Sequence, residues 1–109
     1  MNLQELYSIL ENQYWLEPTD KENIPQNMRW RFYQPVKHIE GLFMLEYSYQ
    51  GRSQTESGKC DIDISDGKAV IKINEAEFYL SFKDHENTML WYSTKSGKTR
   101  TFERIIADN

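Results

Sequence analysis

Arg100, Phe102 and Arg104 alternate along the segment Lys98–Ile105 (KTRTFERI), after a Ser96-Gly97 turn. Side chains in a strand point to opposite faces with a period of two, so these three share one face. A guanidinium offers a planar fork of donors that fits a carboxylate or phosphate, and an adjacent ring receives an apolar body. The chemistry on offer is recognition of an anion attached to something apolar, with the Tyr92 hydroxyl able to complete the grip. Three arrangements compete. Arg100 or Arg104, with Tyr92 and Phe102, faces a barrel interior and meets a ligand. Alternatively, Arg104 covers an aromatic ring, Trp15, at a closed end, a stack worth about 0.5–2 kcal/mol. In the third arrangement both arginines stand in water.

Other chemistry is excluded residue by residue. Lys95-Ser96-Gly97-Lys98-Thr99 contains the GKT of a phosphate-binding loop, but Tyr92 occupies the position of the first glycine and a strand follows instead of a helix. Asp61-Ile62-Asp63-Ile64-Ser65-Asp66-Gly67 has its glycine one position late for a calcium loop, and Lys72 stands where the bidentate glutamate belongs. His38 and His85 are the only histidines, both in expected loops, and the single Cys60 excludes an internal disulfide and a cysteine-based zinc site. No metal site, cofactor or catalytic pair is expected.

The elements that must position these residues follow from periodicity. Leu3, Leu6, Tyr7, Leu10 and Tyr14 recur at helical spacing, giving one amphipathic helix over residues 2–14. Pro18 and Pro25 mark a connector over 17–28. From residue 29 to 106 the period is two. Arg29–Tyr33 puts Trp30 and Phe32 on one face, and Leu42–Gln50 puts Phe43, Leu45, Tyr47 and Tyr49 together. Lys59–Ile73 reads as a hairpin about a two-residue Asp66-Gly67 turn. Its register sets Ile64 against Ala69, Ile62 against Ile71 and Cys60 against Ile73, with Asp61 facing Lys72 on the other side. Glu75–Lys83 turns Ala76, Phe78, Leu80 and Phe82 inward. In the last hairpin a three-residue loop sets Tyr92 opposite Arg100, whereas a two-residue turn sets Trp91 opposite Phe102. The expectation is mainly β: one N-terminal helix, then a six- or seven-stranded antiparallel meander forming a small barrel or strongly curved sheet.

At 109 residues the chain is expected to be a single domain. Aromatics make up 14% of it and must supply much of the packing area, and any rings that do not fit inside line a cavity or an interface. The net charge of −4 and the lack of a basic patch argue against nucleic acid. The N-terminus lacks a basic segment and a cleavage site, and no apolar run reaches spanning length, so no membrane insertion and a cytoplasmic location are expected.

Tyr14-Trp15-Leu16 after a short helix, Phe102-Glu103-Arg104 in the last strand and the Leu90–Thr99 hairpin together resemble the calycin group, which includes lipocalins and small bacterial lipocalin-like domains. Gln13 stands where lipocalins carry a glycine. The resemblance implies an antiparallel barrel that binds a small apolar or anionic ligand inside. The reading that follows is a non-enzymatic binding domain with Arg100, Arg104, Tyr92 and Phe102 at its ligand. The alternative is a protein-interaction module, such as an inhibitor, an immunity-type protein or an assembly factor. It would use an exposed Trp30, Arg31 and Tyr33 or the acidic face of Asp61 and Asp63.

Overall fold

Alternation over most of the chain leaves each strand with one apolar face, and curling the sheet onto itself buries those faces while removing its edges. The computed structural model, which describes residues 1–18, 25–37 and 40–105, is a closed antiparallel barrel of eight strands. Helix α1 (Leu3–Leu10) precedes β1 (Tyr14–Glu17), β2 (Gln26–Tyr33), β3 (Leu42–Tyr49) and β4 (Arg52–Ser65). Then come β5 (Lys68–Ile73), β6 (Ala76–Lys83), β7 (Thr88–Tyr92) and β8 (Thr99–Ile105). Each strand pairs with the next, and β8 closes on β1 through Trp15 opposite Arg104. No described helix is long and apolar enough to cross a membrane.

The eighth strand is the one the periodicity did not give. Asn2 caps α1 by accepting from the Glu5 N–H at 2.8 Å, but the helix stops at Leu10. Asn12 then adopts a left-handed conformation (φ 61°), which asparagine tolerates better than most residues. That turn frees Tyr14–Glu17 to pair on both sides. The expected connector accordingly shrinks: Glu17 ends β1 and Gln26 already begins β2, while residues 19–24 lie outside the described residues. So do His38 and Ile106, the last residue of the expected meander.

The central hairpin has the expected register at every pair, from Cys60 opposite Ile73 to Ser65 opposite Lys68. Both turn residues are left-handed, Asp66 at φ 52° and Gly67 at φ 76°, the type I′ geometry that matches strand twist. The last hairpin takes neither expected register. Ser93 N–H donates to Lys98 O at 3.0 Å and Gly97 N–H to Ser93 O at 2.8 Å, so the loop is one residue longer than the longer alternative. Trp91 is thereby set opposite Arg100, and Met89 opposite Phe102.

Side chains fill the barrel, as the width of eight strands permits. Trp15, Phe32, Ile71, Met89, Trp91 and Phe102 are almost fully buried, and α1 adds Leu6, Tyr7 and Leu10 to the same core. The Trp15 indole N–H donates to the Leu10 carbonyl at 3.3 Å, tying the helix to one end of the barrel. The other end, bounded by the turns at 50–51, 74–75 and 93–98, holds the candidate site.

Candidate functional site

Arg100 is on the inner wall near this second end. Its guanidinium carbon lies 5.2 Å from the ring centre of Trp91, 5.5 Å from Trp30, 5.6 Å from Phe102 and 5.8 Å from Phe78. These rings come from β7, β2, β8 and β6 and pack on each other, with Trp91 and Phe102 only 4.4 Å apart. Each such ring pair contributes roughly 0.5–1.5 kcal/mol beyond the area it buries. A cation placed over their faces is attracted by the ring quadrupoles.

The fork of Arg100 is occupied from within. Nε donates to Oε2 of Glu17 and Nη2 to Oε1, both at 2.6 Å, and the Trp30 indole N–H donates to the same Oε1 at 3.3 Å. Glu17 arrives there by strand parity: Trp15 faces inward, and Glu17, two residues on, faces inward at the rim. A bidentate carboxylate is the partner this fork is shaped for. The Trp91 indole N–H is buried and has no hydrogen-bond partner among the described residues. Leaving such a donor unsatisfied costs about 1–3 kcal/mol.

Between these groups lies a cavity of about 180 Å³ lined by Trp30, Phe43, Phe78, Trp91, Arg100 and Glu56, among others. That is the space of about six water molecules, below the size of a drug-like pocket. A larger hollow, about 760 Å³, is elsewhere, outside β4 and β5. Its walls mix Lys37, Lys59 and Lys72 with Glu40 and Asp61 and carry no aromatic ring. The small cavity is the stronger candidate because a guanidinium and several aromatic rings converge there. Among the described residues, no three of His, Cys, Asp and Glu are grouped as metal ligands would be.

The four residues of the expected ligand set are divided. Arg100 and Phe102 meet, with Phe102 fully buried beneath the guanidinium. Tyr92 does not join them: the longer loop turns it outward, opposite Thr99, where it is 43% exposed. Arg104 shares the face but lies four residues away, about 13 Å along the strand, toward the closed end. There its Nη2 donates to Asn87 Oδ1, its backbone N–H donates to Asn87 O at 2.9 Å, and its Nε is buried without a partner. Among the described residues, guanidinium-over-ring contacts belong to Arg29, Arg31 and Arg100, so the expected cover of Trp15 by Arg104 is replaced by the grip on Asn87.

The expected surface set divides too. Trp30 is only 5% exposed and lines the cavity, a correction to the expectation of an exposed aromatic. Arg31 and Tyr33 alternate with it and do face out, Arg31 lying 4.8 Å over the Tyr14 ring and 5.6 Å over Tyr33. Asp61 and Asp63 are exposed on the outer face of β4. Glu17, Phe43, Phe78 and Trp91 were absent from the expected site. Parity would have placed Glu17 once Tyr14–Glu17 was read as a strand. Comparisons with protein-family models, with curated proteins and with solved structures gave no match to this chain.

Proposed function

We propose that this barrel is a non-enzymatic binding protein for a small molecule with an apolar, preferably planar, body and one carboxylate-like end. The ligand sits in the cavity at the open end, its body against Trp30, Phe78 and Trp91 and its anion in the fork of Arg100. The observation that carries this reading is the half-buried Arg100 guanidinium ringed by four aromatic side chains and already gripping a carboxylate. Glu17 stands in for the ligand's anionic end, and the Trp30 indole N–H, which donates to the same carboxylate, offers a second donor. These groups grip and orient; they suit binding better than proton transfer.

Titration with benzoate, followed by tryptophan emission, tests the proposal, with benzyl alcohol as the neutral isostere. Saturable binding of benzoate but not of benzyl alcohol is expected, lost in Arg100→Gln. Glu17→Gln removes the internal competitor and tightens binding about tenfold, equivalent to about 1.4 kcal/mol. Equal affinity of Arg100→Gln and wild type for benzoate would refute the assignment.

A second reading, association with a protein, is supported by the outer face of β2 and β3. Tyr33 and Leu42 are direct cross-strand neighbours there and are 38% and 39% exposed, beside Arg31. Tyr and Arg are frequent interface anchors. A Tyr33→Ser, Leu42→Ser double variant that loses a protein partner while keeping benzoate binding would favour it.

A further inference from the structure

β4 is 14 residues long, and its two halves pair on opposite sides. Cys60–Ser65 pair with β5, whereas Arg52–Lys59 pair with β3 alone. Among the described residues, the stretch Arg52–Lys59 therefore presents one open strand edge beyond the closed part of the wall. The Cys60 N–H donates to Gly41 O at 2.8 Å, so the backbone groups of Cys60 turn toward the β3 side. Alternation then turns the N–H and C=O groups of Ser53, Thr55, Ser57 and Lys59 to the open side. Two of the usual devices that blunt an edge, a bulge and a proline, are missing here. The ladder with β3 runs without a bulge from Lys59 to Arg52, and Arg52–Lys59 contains no proline.

We propose that this edge joins a second copy of the chain, the two β4 edges pairing antiparallel about a two-fold axis. The sequence is complementary to itself in a register that the backbone allows. With Gln54 on the axis, Ser53 of one copy exchanges hydrogen bonds with Thr55 of the other. Arg52 then faces Glu56 at the close, non-hydrogen-bonded position, once at each end. Both side chains are exposed, Glu56 keeping a second carboxylate oxygen beside the one that accepts from the Tyr47 hydroxyl at 3.1 Å, and opposite charges directly across strands are favourable. A contact of this kind uses one patch twice and closes on itself as a dimer. An unrelated partner strand would have no reason to find Arg52 and Glu56 spaced to match their own reverse.

Sedimentation velocity over a concentration series of the full chain tests the dimer. Wild type is expected to shift from one to two chain masses as concentration rises. Thr55→Pro removes an N–H that faces the open side and none that β3 uses, so it is expected to abolish the shift with the far-ultraviolet spectrum unchanged. Arg52→Glu sets like charges across the axis and is also expected to abolish it. The exchange Arg52→Glu, Glu56→Arg restores the pairing and the dimer. Monomer throughout for wild type, including the case where the edge takes some other strand instead, overturns the proposal. So does a dimer that survives Arg52→Glu.

Discussion

Arg100 and Glu17 are joined by two hydrogen bonds of 2.6 Å, from Nε and Nη2 to separate carboxylate oxygens, and this pair ties β8 to β1 at the open end. The two partners are unequally sheltered: the Glu17 side chain is 13% exposed and that of Arg100 36%. Removing the arginine therefore strands a largely sheltered carboxylate, while removing the glutamate leaves a guanidinium that still reaches water. We expect Arg100→Gln to cost about 2 kcal/mol and Glu17→Gln about 1 kcal/mol or less, both below the cost for a fully buried pair. Urea unfolding of the two variants checks the order. Equal losses would mean that shelter does not set the cost.

Arg104 is bonded within the fold at the closed end. Its bonds join β8 to Asn87, in the turn before β7, far from the cavity. Arg104→Ala is expected to lower stability by about 1–2 kcal/mol, as loss of a charge-assisted hydrogen bond does. Benzoate affinity should stay at the wild-type value. A binding loss with an unchanged melting temperature would reverse the assignment.

Two acids are held back from ionising. Burial, then the charge of Asp61, pushes the Cys60 thiol up to about 12. Burial, then Cys60 and the carboxylates of Asp61, Glu11 and Asp63, pushes the Tyr7 hydroxyl up to about 12. In the unfolded chain these groups ionise near 8.5 and 10. The folded state therefore binds more protons between about pH 9 and 12, and stability falls as pH rises through that window. Below it the contribution is complete. We expect alkaline unfolding to steepen above about pH 9, and Tyr7→Phe with Cys60→Ala to flatten the slope. Cys60 should also resist thiol reagents until the protein is unfolded.

The central hairpin was legible because its turn has two residues and both accept left-handed backbone, which leaves one register for Cys60–Ile73. The last hairpin was not. Ser93–Lys98 offers serines that bond the backbone locally, Ser96 N–H to Ser93 Oγ and Lys98 N–H to Ser96 Oγ, and these stabilise a longer loop than glycine alone implies. One added residue exchanges the roles of Trp91 and Tyr92, so one of the four expected ligand residues turned out of the barrel. Period two correctly put Arg100, Phe102 and Arg104 on one face, but a face is long, and only register places a residue at one end of it. Glu17 was hidden for a different reason. Four residues before a proline show no periodicity, and their strand exists only because β2 and β8 lie on either side.

β1 also sets the order of events when the chain folds. Every other strand pair joins neighbours in sequence and can form as a local hairpin. Trp15 and Arg104 lie roughly ninety residues apart, so sealing the barrel must bear the entropy of closing nearly the whole chain into a loop. The stave that completes the cylinder emerges first during synthesis and waits for the last to arrive. Until then Trp15, Trp30 and Trp91 face an unsealed trough. The native aromatic interior is thus a late product of assembly, formed when the first strand made finally meets the last.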